Sequence, residues 1–187
     1  MNETILIEKL ILKEEETFRV FIEQYQDMVL NTCFKFVHNK NDAEDIAQDV
    51  FVEVFLSIKR FKGDSKISTW LYRIAVNKSL DFIKKKNRKK RMAILTSLFK
   101  TCLSKEKSLI NNSTPQSLIE ENEKIRILLE AIEKLPENQK VAITLAKLEG
   151  LSYYDISLIL KTTTSAIESL VQRAKQNLKK LLLNEDY

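Results

Sequence analysis

Two stretches of this sequence carry the residue types that recognise nucleic acid rather than transform it. In the first, Trp70, Arg73, Asn77 and Lys84 share one side of a helix predicted within residues 61–91. An indole can stack on an unpaired base, an amide can read a base edge, and cations hold phosphates. The same stretch ends in Lys84-Lys85-Lys86-Asn87-Arg88-Lys89-Lys90-Arg91, where seven of eight residues are basic. Stacking needs an unstacked base, so this set suits single-stranded DNA better than a duplex groove. Plainer readings stand beside it. A tryptophan at a helix start is commonly core, and a basic run also serves as a solvated tail or a site for an acidic partner.

The second stretch is the C-terminal helix, whose outer face carries Ser165, Ser169, Gln172, Arg173 and Gln176. Small and amide side chains with one arginine are the types that read base edges in a major groove. Lys175, Lys179 and Lys180 are placed to hold phosphates. The alternative is an ordinary helical bundle with a polar surface.

A third stretch has a different character. Residues 42–58 hold five carboxylates and no Lys or Arg. Ala43, Ile46, Ala47, Val50, Val54 and Ile58 recur at steps of three and four and predict the buried stripe of a helix, with Asn41 or Asp42 at its cap. Directly opposite fall Asp45, Asp49, Val52 and Leu56. Acids interleaved with apolar residues suit a surface covered by a positively charged partner, although stray surface hydrophobes are common. Covalent chemistry has no comparable set. The acids spread around a helix rather than gather, and His38, the one histidine, has no Cys or carboxylate cluster at metal-ligand spacing. No cofactor or metal is expected, and the chain does not read as an enzyme.

These side chains need helices to hold them. Two Gly and two Pro in 187 residues are too few for an all-β chain of tight turns, and Leu, Ile, Lys and Glu recur at helical spacing. The expected fold is all-α: two small helical domains, 1–91 and 117–187, joined by a linker at 92–116 rich in Lys, Ser, Thr and Asn. In the first, Gly63 marks a turn, Ser68 or Thr69 caps the next helix, and Leu71, Ile74, Ala75 and Phe82 form its buried stripe. In the second, Leu135-Pro136-Glu137 opens a helix that stops at Glu149-Gly150. Ser152 to Asp155 matches a capping box, a short helix reaches Leu160, and a turn leads into a helix to about Leu183 that buries Ile167, Leu170, Val171, Ala174, Leu178 and Leu181. Short helix, turn and longer helix fit a DNA-binding helix-turn-helix.

The net charge of +5 is modest, so its distribution matters more than its size. Cys33 and Cys102 form no CxxC pair and suggest free thiols in a reducing compartment. No apolar run approaches the ~20 residues needed to span a bilayer, and Met1 to Lys13 lacks a signal-peptide pattern. The chain reads as soluble and cytoplasmic, without membrane insertion.

Taken together the motifs resemble the RNA polymerase sigma factors of the sigma-70 family. Asp42-Ala43-Glu44-Asp45-Ile46-Ala47-Gln48-Asp49-Val50-Phe51 looks like region 2.2. Phe61-Lys62-Gly63-Asp64-Ser65, with Thr69 through Asn77, is similar to regions 2.3 and 2.4. Leu135-Pro136, Glu149-Gly150-Leu151-Ser152-Tyr153, Ile156 and Gln172-Arg173-Ala174 look like region 4. No middle domain separates them, which points to the extracytoplasmic-function group. The resemblance implies that Asp45, Gln48, Asp49, Val52 and Leu56 dock on core RNA polymerase, which the family engages through its β′ and β subunits. It implies that Lys62, Trp70, Arg73, Asn77 and Lys84 hold the melted −10 strand. It assigns Ser165, Ser169, Gln172, Arg173 and Gln176 to the −35 element in promoter DNA. An anti-sigma factor is a further implied partner. Three positions depart from the family pattern: Lys161 stands where Gly is common, Glu168 where a basic residue is common, and Leu170 where Arg is common. A helix-turn-helix regulator acting without polymerase is the alternative function, and would leave the Asp45 face unexplained.

Overall fold

The computed structural model describes residues 3–101 and 119–183, with side chains placed over 3–89 and 126–183. Among the described residues every regular element is helical. The N-terminal half contains α1 (Glu3–Ile11), α2 (Glu15–Val37), α3 (Lys40–Ser57) with a 3-10 turn at Ile58–Arg60, and α4 (Ile67–Thr101). The C-terminal half contains α5 (Ile119–Glu133), α6 (Glu137–Ile143) continued by a π turn at Thr144–Leu148, α7 (Tyr153–Leu160) and α8 (Thr164–Leu183).

Local chemistry sets the ends of these helices. α2 stops at His38, which takes the left-handed conformation (φ 51°) while its N–H donates to the Phe34 carbonyl. The cap of α3 is Asn39, whose side chain accepts from the Asp42 amide at 3.0 Å. The expected caps, Asn41 and Asp42, lie inside the helix. α4 begins one residue before Ser68, and its first amide, from Ile67, donates to the Glu3 carboxylate at 2.6 Å. A carboxylate from α1, a helix not foreseen in the sequence, therefore does the work expected of Ser68 or Thr69, at the end of the helix dipole that favours negative charge. α4 continues to Thr101, into the segment expected as a linker. The remainder of that segment and Cys102 lie outside the described residues.

Two hydrophobic clusters result. The first joins α1 to α4 around Phe21, Val29, Cys33, Ala43, Ile46, Val50, Val54, Ile67, Leu71 and Ala75. Burial pushes the Cys33 thiol up to about 11, so this cysteine is an inert core residue. The second cluster joins α6, α7 and α8 around Val141, Leu145, Ile156, Ile167, Val171 and Ala174. It also includes Phe36 from α2 and Val76 from α4, each 1% exposed. Tyr72, Leu80 and Ile83 of α4 pack against it as well. α4 thus carries two apolar stripes where one was expected. Leu71, Ile74 and Ala75 face the first core, and Tyr72, Val76, Leu80 and Ile83 face the second. The two halves share a seam.

Candidate nucleic-acid and partner interfaces

On α3 the period of the core stripe fixes what remains outside. Ala43, Ile46, Val50 and Val54 are buried, which leaves Asp45, Gln48, Asp49, Val52 and Leu56 exposed along the opposite side. Val52 is 57% and Leu56 67% exposed, beside acids that make no ion pair among the described residues. This face is open and of mixed acidic and apolar character.

The α4 face differs. Trp70 is half-buried, packed on the first core with its ring 5.3 Å from that of Phe61. Its free edge lines a cleft of about 340 Å³ together with Arg60, Lys62, Asp64 and Arg73. Three of those four neighbours are cations, which suits a phosphate near a stacked base. The far wall comes from the C-terminal half, through Leu158 and Lys161. Arg73 is not free, as it donates to the Leu158 carbonyl. Lys84 pairs with Glu137 at 3.0 Å and Lys86 with Asp42 at 2.6 Å. Asn77, Lys85, Arg88 and Lys89 are exposed. Of the five residues expected at a melted strand, Lys62, Trp70 and Arg73 meet at one cleft, while Asn77 and Lys84 lie further along α4.

The helix-turn-helix forms as its caps dictate. Gly150 takes φ 69°, and the Ser152 hydroxyl accepts from the Asp155 amide at 3.1 Å to start α7. α7 ends at Lys161 in the left-handed region (φ 53°), a conformation that glycine adopts more readily than lysine. α8 buries Ile167, Val171 and Ala174, with Leu170, Leu178 and Leu181 packed at the margin. Ser165, Ser169, Gln172, Arg173 and Gln176 are all exposed on its other side, as is Glu168.

Comparison with known proteins agrees with this geometry. The family model for sigma-70 region 2 matches residues 21–89, and that for sigma-70 region 4 matches residues 125–178. An ECF RNA polymerase sigma-E factor from Haemophilus influenzae is 31% identical over 176 residues, 94% of this chain and 93% of that protein. The chain belongs to the sigma-70 family, in its extracytoplasmic-function group. The RNA polymerase sigma-H factor of Pseudomonas aeruginosa is 28% identical over 177 residues, covering 95% of this sigma factor and 92% of that one. Its fold is shared by CnrH, solved in complex with the cytosolic domain of CnrY (TM-score 0.68, 18% identity, 99% of each chain). It is also shared by the sigma factor RpoE of Bartonella quintana, solved with the anti-sigma factor NepR (TM-score 0.61, 22% identity, 88% of this chain and 96% of that one).

The joining of regions 2 and 4 in this sigma factor was not foreseen in the sequence. Glu149, at the end of the π turn, has a side chain 7% exposed. It accepts from Lys35 Nζ at 2.9 Å, Thr32 Oγ1 at 3.2 Å and Tyr72 OH at 3.3 Å. Lys35 also donates to the Leu148 carbonyl at 2.8 Å. Desolvation, then the charge of Glu149 and its hydrogen bond, push the Tyr72 hydroxyl up to about 12. His38 Nε2 lies 3.2 Å from Glu133 Oε1. Burial alone would raise the Glu133 carboxyl, but the nearby His38 ring and the hydrogen bond and charge of the buried Lys140 outweigh it and hold Glu133 below its ordinary value. A donor–x–x–donor pair, Thr32 and Lys35, is the one local hint the sequence offers. It became legible only once α2 and the π turn were placed together.

Proposed function

We propose that this sigma factor docks on core RNA polymerase through the open α3 face and engages two promoter elements, one with each half. Asp45, Gln48, Asp49, Val52 and Leu56 form the polymerase surface. Lys62, Trp70, Arg73, Asn77 and Lys84 hold the melted −10 strand, and Ser165, Ser169, Gln172, Arg173 and Gln176 read the −35 element. What carries this reading is the coexistence, in a chain matched by both region models, of an uncovered acid–apolar stripe on α3 and an uncovered polar face on α8.

The physical logic is recognition without covalent chemistry. Two weak DNA contacts on one chain raise each other's effective concentration when the elements stand at the right spacing. Strand opening becomes less costly when a displaced base stacks on an aromatic ring and its phosphates meet cations. The protein works in the cytoplasm, where polymerase and promoter are. An anti-sigma factor is a fitting regulator, by analogy with the complex in which RpoE was solved with NepR.

Run-off transcription with core polymerase and a genomic promoter library tests the reading. Discrete transcripts that require the added chain are expected. A chain that binds promoter DNA yet neither binds core polymerase nor yields transcripts would be a regulator of a different kind.

A further inference from the structure

The seam between the halves is keyed by charge. Two carboxylates of the C-terminal half face cations of the N-terminal half, Glu137 on Lys84 at 3.0 Å and Glu149 on Lys35 at 2.9 Å, and a third, Glu133, lies 3.2 Å from the His38 ring. One of these basic residues, Lys84, belongs to the set that the proposed function places on the −10 strand. A second member of that set, Arg73, gives its guanidinium to the Leu158 carbonyl, and the cleft beside Trp70 is walled by Leu158 and Lys161.

We propose that the C-terminal half acts as a pseudosubstrate for the strand-binding surface: it lays a carboxylate on Lys84 and a carbonyl on Arg73 where strand phosphates would sit, and so holds the free chain closed. The inference rests on the strand-binding role given above to Trp70, Arg73 and Lys84. The end of helix α7 walls one side of the cleft, and Glu149 is the latch. Its carboxylate is almost wholly enclosed, yet among its three donors only Lys35 is a cation. In the open chain the same carboxylate returns to water, so the latch releases without stranding a charge.

The closed state also carries a defect that the strand can repair. Arg73 Nε is buried and has no hydrogen-bond partner among the described residues. A neutral carbonyl satisfies one edge of the guanidinium, whereas a phosphate oxygen pair satisfies the fork with charge-assisted bonds. The strand therefore competes for Arg73 on better terms than Leu158 does. Until opening, apparent affinity is reduced by the fraction of molecules that are open, so an open fraction of a tenth lowers it about tenfold.

The test uses the full chain and fluorescein-labelled dT12 as the probe, with small-angle scattering to follow opening. Glu149→Lys and, separately, Glu137→Lys remove carboxylates from the seam, and Glu23→Lys makes the same charge change on the exposed side of α2. Glu149→Lys is expected to enlarge the radius of gyration and raise dT12 affinity about tenfold relative to Glu23→Lys, with Glu137→Lys acting in the same direction but less. Adding Arg73→Ala to either opened variant removes most of the gain. If the chain expands but dT12 affinity only matches Glu23→Lys, the C-terminal half does not cover the strand surface. If neither seam variant expands, the carboxylates do not hold the halves together. Either result overturns the proposal. Run-off transcription by the wild-type chain remains a separate readout, so loss of this inference is distinguishable from loss of the sigma-factor reading.

Discussion

The outward face of α3 and the outward face of α4 meet different fates in the free chain. α3 leaves Asp45, Asp49, Val52 and Leu56 in solvent, whereas α4 has Arg73 and Lys84 occupied by acceptors from the C-terminal half. An exposed leucine gains from being covered: burying one fully is worth about 1.5–3 kcal/mol, and Leu56 keeps two-thirds of its surface free. Nothing among the described residues takes up that gain, so it is left for a partner. A cation gains little from burial unless an acceptor accompanies it, and the chain supplies those acceptors itself. One face is therefore built to be available at once, and the other to be available after a rearrangement.

The largest expected effect breaks the α3 side. Asp45→Arg with Asp49→Arg places two cations where a basic partner surface would dock, and is expected to weaken core polymerase binding by more than about 100-fold. Duplex binding through α8 is expected to be unchanged. Polymerase pull-down and an electrophoretic shift on duplex DNA read the two arms. Retained polymerase binding would move the docking surface elsewhere. Next in size, Arg173→Ala is expected to cost about 1–3 kcal/mol of upstream-element affinity if the exposed guanidinium bonds a base. Unchanged affinity across promoter variants would make Arg173 a bystander on α8.

How much of this contrast the sequence disclosed depends on the range of the interaction. The α3 stripe was legible because Ala43, Ile46, Val50 and Val54 report a period within one helix. The helix-turn-helix was legible because Gly150, Ser152 and Asp155 act over a few residues. The start of α4 was misread because its cap comes from Glu3, 64 residues away, and no local pattern carries that. The cap of α3 was misplaced because Asn39, Asn41 and Asp42 are equally good cap types, and only the backbone chooses among them. The seam was missed because α4 was given one buried stripe. Tyr72, Val76, Leu80 and Ile83 also recur at steps of three and four, and their partner surface lies in the other half. Glu149 read as a helix end, and its three donors come from two helices of the N-terminal half.

A smaller effect sharpens the α4 side. Ser152 caps α7, the helix whose Leu158 carbonyl holds Arg73, so Ser152→Ala is expected to cost about 1 kcal/mol in thermal or denaturant unfolding. If fraying of α7 also uncovers the cleft, dT12 affinity rises modestly in the same variant. A stability loss without that rise would confine the cap to folding.

The smallest effect is silent at neutral pH and concerns Tyr72 alone. Closing the seam removes the ring hydroxyl from water and sets it beside Glu149, which pushes it up to about 12 from an ordinary 10. A raised value means that the closed state favours the protonated phenol. The contribution of Tyr72 to closure is therefore complete below pH 10 and is lost as pH climbs from 10 toward 12. Ultraviolet titration should show the latest-ionising tyrosine, identified as Tyr72 by its loss in Tyr72→Phe, moving earlier in Glu149→Lys, while Tyr25, raised by its own burial, is unaffected. Scattering over the same range should show the chain expanding as that late tyrosine ionises. A Tyr72 signal that stays equally late in Glu149→Lys would mean that desolvation by the cores, rather than the closed latch, sets the shift, and would detach Tyr72 from the opening of the seam.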